Sequence, residues 1–244
     1  MANARSWLAS ALTSLGDIDT AIKLQEETQN QLLNSLNQND AYMRDRLAST
    51  LGRLAELLEY KGNLKAALEK LLQAKNFTEK SLLLDADNEV WKRDLFYIRT
   101  RILFLNSFIN DPRVKETSQS LLESFDSNFK SMDKQRRDYL YANALYSVAI
   151  DEIKNNSPLG YDSLKKSNTI FSELVKNAPQ ERRYIIGFAK TNMAIVEARI
   201  TVDNKEEYLT LCKETQKILQ PLIEKDKNPE ITMPYLDSKN CQER

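Results

Sequence analysis

Apolar residues recur along this chain at the three-to-four spacing of a helix face, and no segment alternates apolar and polar residues long enough to suggest a strand. Capping chemistry punctuates the periodic run. Asp111-Pro112 and Ser157-Pro158 each place an N-cap before a proline at the first helical position, and Asp203-Asn204-Lys205-Glu206 reads as a variant capping box. Periodicity and caps together predict ten helices, over 3–14, 18–37, 40–60, 64–84, 89–109, 112–127, 133–154, 159–176, 180–201 and 205–225, with a short eleventh after Pro229.

Helices joined by short turns raise the question of an internal repeat. Trp91-Lys92-Arg93-Asp94-Leu95 echoes Met43-Arg44-Asp45-Arg46-Leu47, Gln135-Arg136-Arg137-Asp138-Tyr139 and Glu181-Arg182-Arg183-Tyr184-Ile185. The last residues of these stretches, in chain order, lie 48, 44 and 46 apart. A period near 46 holds one helix pair with its turns. Within the first two periods Leu8, Gly16 and Ala21 correspond to Leu54, Gly62 and Ala67. The leucine is expected to pack the first helix on its mate, the glycine to supply a left-handed turn, and the alanine to let the two helices approach. Asn110 takes the glycine position of the third unit, as one of the few other residues that tolerate that conformation. The fourth and fifth units are recognised by helix pairing alone.

This is the tetratricopeptide pattern. The stretches from Asn3 to Ala21 and from Asn88 to Leu95 resemble the long-helix tetratricopeptide tracts of bacterial regulatory proteins, where such a tract often follows a serine/threonine kinase or winged-helix domain. The resemblance is good over residues 3–110 and weak after. It implies an all-α, right-handed superhelical solenoid of antiparallel helix pairs, forming a single domain over 1–244 within a larger protein. Both ends look cut, since residues 234–241 resemble the start of a further helix. No glycine-rich loop, His-Arg-Asp loop or Asp-Phe-Gly is present, so kinase activity is not carried over.

Composition agrees with long helices. Only 5 glycines and 6 prolines occur, and 41% of residues are hydrophobic, enough for a substantial core. The 35 basic and 35 acidic residues cancel, which gives no long-range field for a polyanion. Lys134-Gln135-Arg136-Arg137 and Arg182-Arg183 read as solvated helix starts, so no nucleic-acid partner is expected. The most apolar window, residues 102–109, is far short of the roughly 20 residues of a membrane span, and no membrane insertion is expected. No compartment is specified: cytoplasmic is the default, with the periplasm open if the parent protein is membrane-anchored.

The absence of histidine removes the Ser-His-Asp and Cys-His arrangements together with the commonest metal ligand. A two-carboxylate mechanism remains formally open, but the acids lie among lysines at helical spacing, as Glu56, Glu59 and Lys61 do, and the chain is not read as an enzyme. Asp17/Asp19 and Asp85/Asp87 lack the glycine and distal glutamate of a calcium loop and read as helix starts. No cofactor and no metal are expected. Cys212 reads as a small core residue, and Cys241, in a polar tail, as exposed.

Stacked helix pairs line a concave surface with their first helices, which suits an extended peptide or a partner helix. Tetratricopeptide spacing from Leu54, Ile102 and Tyr146 places Ser49, Glu56, Tyr97, Thr100, Phe104, Tyr141 and Val148 inward. Tyr97, Phe104 and Tyr141 are the candidate anchors, because aromatic side chains dominate many interfaces; Trp7 and Trp91 are read as packing residues. The expected function is a protein-interaction scaffold or regulatory region that binds a protein or peptide in this groove. The alternative is a ligand-sensing solenoid that regulates an attached kinase or DNA-binding domain. Self-association through the ends of the solenoid is a further expectation.

Overall fold

The computed structural model describes residues 2–35, 40–199 and 205–241, and among them every regular element is a helix. The chain divides into two compact units, residues 1–128 and 129–244. In the first, α1 (Ala2–Leu15) pairs with α2 (Ile18–Asn34), α3 (Ala41–Tyr60) with α4 (Leu64–Leu82), and α5 (Glu89–Ile109) with α6 (Ser118–Asn128). Side-chain caps start α2, α3 and α5: Asp17 accepts from Thr20 N at 3.1 Å, Asp40 from Met43 N at 2.9 Å and Asn88 from Trp91 N at 3.2 Å.

The turns carry the repeat most clearly. Gly16, Gly62, Asn110 and Asn156 all have positive φ, and they follow one another at 46, 48 and 46 residues. After Gly62 the chain closes as a Schellman motif, with Gly62 N donating to Glu59 O at 2.8 Å and Asn63 N to Leu58 O at 2.9 Å. Asn156 and Ser157 repeat this on Ile153 and Glu152, at 3.0 and 2.8 Å. The fourth period therefore has its left-handed residue, in a form that glycine matching does not detect. Ala21 and Ala67 are completely buried where the paired helices touch. Leu47, Leu51, Ala55, Leu68, Leu71, Ile98 and Leu105 form the main core of the first unit. The tetratricopeptide-like pairing rests on these features.

Two packing expectations for the first helix are corrected. Leu8 is 52% exposed and Trp7 77% exposed, because α1 meets α2 through Ala9 and Leu12, one helical step away from that face. Trp91 is half-buried, as expected of a packing residue.

A third correction concerns α6, which begins at Ser118 and not after Asp111-Pro112. The Asp111 carboxylate is taken up by Arg113, accepting from its backbone N and its guanidinium, and so does not cap a helix. The start is set by Thr117 and Ser120, whose hydroxyls each accept from the other's backbone N–H at 3.1 Å, a capping box with serine in place of glutamate. The intervening strap is held to α5 by Arg99, whose guanidinium donates to both carboxylate oxygens of Glu116 at 2.7 and 2.8 Å.

Burial of Glu116 would raise its carboxyl, but hydrogen bonds from Arg99 and Ser120 hold it below the usual range. A carboxyl lowered in the folded state contributes stability above its unfolded pKa and loses it as pH falls through the folded pKa. Glu116→Gln should therefore cost about 2 kcal/mol at pH 7, and the difference from wild type should shrink toward zero below about pH 4. Urea melts at several pH values check this.

The second unit contains α7 (Lys134–Lys154), α8 (Gly160–Asn177), α9 (Arg182–Arg199), α10 (Lys205–Ile223) and α11 (Pro229–Asn240). Pro158 lies in the turn before α8, with Ser157 Oγ accepting from Leu159 N at 3.3 Å; the helix begins at Gly160, whose Cβ would meet Ile153 and the Ala149 carbonyl. The close α7–α8 approach thus uses a glycine one place before the position that alanine holds in the first two periods. Asn168 Nδ2 donates to Thr191 Oγ1 at 2.9 Å and Asn192 Oδ1 at 2.6 Å, and Asn192 Nδ2 donates to Thr215 Oγ1 at 3.2 Å. This buried ladder fixes the register of α8, α9 and α10, because slipping it would strand polar groups in the core.

Of the two basic clusters, Lys134 to Arg136 and Arg183 are exposed as expected, Arg183 also lying over the Tyr139 and Tyr184 rings at 5.1 Å from each centroid, whereas Arg137 is half-buried and the half-buried Arg182 pairs with Asp226 at 2.8 Å. Asp203 and Asn204, read as a capping box, lie outside the described residues. The tail read as an incomplete further helix is the second half of α11. Cys212 is buried as expected, whereas Cys241 is 3% exposed and forms a disulfide with it, the Cα atoms 6.3 Å apart. The polarity of the tail misleads there, because α11 turns one face, with Ile231, Tyr235 and Ser238, into the core and delivers Cys241 to α10.

Candidate functional site

Two adjoining clefts open along the first helices of the first unit. The cleft between α3 and α5 has a volume of about 220 Å³, and Ala48, Leu71 and Ile98 give it an apolar lining. It owes its depth to small residues on α3: Ala48, Ser49 and Gly52 stand at its wall, and a Cβ on Gly52 would meet nothing within 4 Å. The second cleft, about 250 Å³, is lined by Ser6, Trp7 and Ser10 of α1 together with Arg46 and Thr50 of α3. Asp45, Ser49 and Arg53 border both. In the second unit, by contrast, α7 touches α9 directly.

The expected inward positions divide. Ser49, Glu56 and Tyr97 line the α3–α5 cleft, with Ser49 open to solvent and Tyr97 42% exposed. Phe104 packs half-buried against the core, its ring edge-on to Phe108 at 5.3 Å between centroids. Thr100 is buried, its hydroxyl donating to Phe96 O at 2.9 Å, and Val148 is buried in the second unit, so neither reaches an open surface. Tyr141, also in the second unit, is half-buried. The residue of α5 that reaches the cleft at that level is Arg101, one helical step from Thr100. Asp45, Arg53, Thr78 and Asp94 also line the cleft; counting by three and four from Ser49 and Tyr97 on the same helix faces reaches Asp45, Arg53 and Asp94, whereas Thr78 comes from α4.

Charge is arranged unevenly around the cleft. Arg101 pairs with Glu59, and although burial would lower its pKa, the surrounding carboxylates hold the guanidinium firmly charged. Tyr60 donates to Glu56 at 2.6 Å, and Arg93 to Asp94 at 2.8 and 3.0 Å. The Asp45 carboxyl is pushed up by burial and by the nearby charge of Asp94, against a hydrogen bond from the Trp91 side chain. Arg53 is exposed and has no hydrogen bond or ion pair among the described residues. Among the described residues no group of three carboxylate or cysteine side chains could hold a metal ion, and no helix is long and apolar enough to cross a membrane.

No family model and no curated protein matches this sequence. Among solved structures, it is similar to kinesin light chain TPR-like repeats of Podosopora anserina, at 12% identity and a TM-score of 0.46, with 98% of this chain and 94% of the other covered. It is also similar to the TPR2AB domain of yeast Sti1 in its complex with pHSP90, at 12% identity and a TM-score of 0.33, with 98% and 86% covered. At these scores neither likeness extends to a site or a ligand, and the helix pairing stands on the contacts described above.

Proposed function

We propose that this region is a protein-interaction scaffold that binds an extended peptide segment of a partner in the clefts along α1, α3 and α5, and that it is not an enzyme. One observation carries the reading: Ser49, Glu56 and Tyr97 line one open cleft that continues past Asp45 and Arg53 into a second. Two adjoining clefts along parallel helix faces suit consecutive side chains of one extended segment. A chain without histidine has few routes to acid–base or nucleophilic chemistry near neutral pH, and equal numbers of basic and acidic residues favour a protein over a polyanion.

Selection of phage-displayed random dodecapeptides on the immobilised protein tests this. Wild type should enrich a family of related peptides, and Ser49→Trp, which fills the cleft from an exposed position, should lose that family while keeping its circular dichroism and melting temperature. Enrichment unchanged by Ser49→Trp would move the site elsewhere. A second reading, a small-molecule sensor serving an attached kinase or DNA-binding domain, draws on the volume of about 220 Å³ and the mixture of charges at the α3–α5 cleft. It predicts a ligand-induced rise in melting temperature abolished by the same Ser49→Trp change.

A further inference from the structure

The cleft between α3 and α5 combines an apolar floor with carboxylates at its border. Ala48, Leu71 and Ile98 supply the floor, Tyr97 an exposed ring, and Asp45 and Asp94 two carboxylates close enough for the charge of one to act on the other. Of the two arginines at this border, Arg101 is committed to Glu59, so it offers little net charge to an incoming group. Arg53 lines this cleft too and opposes a cation there, against three carboxylates in the same lining, Asp45, Glu56 and Asp94. A long side chain with an apolar stem and a cationic end matches this lining part by part.

We propose that the α3–α5 cleft is the anchor subsite for a lysine or arginine side chain of the partner peptide, its stem lying along Ala48, Ile98 and the Tyr97 ring and its charged head between Asp45 and Asp94. This rests on the peptide-groove reading above and names the chemistry it selects. The cation relieves the repulsion between the two carboxylates and supplies Asp45 with a charge-assisted hydrogen bond in a half-buried place, where such a bond is strongest. Asp94 is already engaged by Arg93, so Asp45 supplies more of the unmatched negative charge than Asp94 does.

The same displayed dodecapeptide library decides it. Peptides selected by wild type should share a lysine or arginine at one aligned position, and replacing that residue by norleucine in the synthetic form of the best binder should weaken binding about tenfold or more. The preference should disappear on Asp45→Asn/Asp94→Asn. Because Asp45 is half-buried, Asp94→Asn alone serves as a second variant, with the fold of each checked by thermal melting. Binders with no shared basic position, with a shared acidic one, or with a basic preference that survives both variants would overturn the subsite while leaving the groove reading in place. Failure to select any peptide would overturn both.

Discussion

Phe171→Ala is expected to destabilise the second unit by about 3–5 kcal/mol, measured by urea denaturation followed at 222 nm. Phe171 lies fully buried among Ala142, Leu174 and Tyr184, and its ring stands T-shaped to that of Tyr139 at 6.2 Å between centroids. What makes the site informative is Gly187 on α9, where an added Cβ would run into the ring of Phe171. Glycine inside a helix costs about 1 kcal/mol relative to alanine, so its place here is set by tertiary packing and not by propensity. Gly187→Ala in the wild-type background should therefore destabilise, overpacking at roughly 1–3 kcal/mol outweighing the helical gain. With Phe171→Ala present the obstacle is gone, and the same Gly187→Ala change should stabilise by up to about 1 kcal/mol. A change of the same sign in both backgrounds would show that the ring does not dictate the glycine.

The same contrast between local and tertiary causes explains what could be read in advance. Helix periodicity, the left-handed residues Gly16, Gly62 and Asn110, and the buried alanines Ala21 and Ala67 are consequences of backbone geometry, and all could be read from single positions. Asn156 was not, because its motif depends on backbone conformation and its small partner, Gly160, stands one place out of register. The start of α6 is hidden from the sequence because Asp111 has two competing uses, and Arg113 two residues on wins over the helix terminus. For the cleft, Ser49, Glu56 and Tyr97 were legible from repeat spacing, but a rotation of about 100° per residue separates Arg101 from the chosen Thr100, and spacing alone does not fix the face that finely. Trp7 shows the reverse case: a large aromatic residue invites a packing role, but it stands exposed because its helix buries a narrower face.

Cys212→Ser should cost the second unit about 3–4 kcal/mol when compared with the oxidised wild type. The disulfide joins residues 29 apart, and closing a loop of that length in the unfolded chain gives a stabilisation of about 3.6 kcal/mol by the chain-entropy relation. In the folded state both cysteines are buried against Met193 and Val196, so the reduced pair would still pack as small apolar side chains. Reduction should therefore lower stability without dismantling the unit, and it should act slowly on the native protein because neither sulfur is open to an attacking thiolate. The rest of α11 is held independently, by Ile231 and Tyr235 in the core and by Gln216 Nε2 donating to Ser238 O at 2.9 Å. Urea denaturation of oxidised, reduced and Cys212→Ser protein separates these terms: the reduced and serine forms should agree to within about 1 kcal/mol, and both should fall well below the oxidised form. Equal stability of all three would mean that the crosslink removes little from the unfolded ensemble, and the hold on α11 would then rest on its apolar face alone.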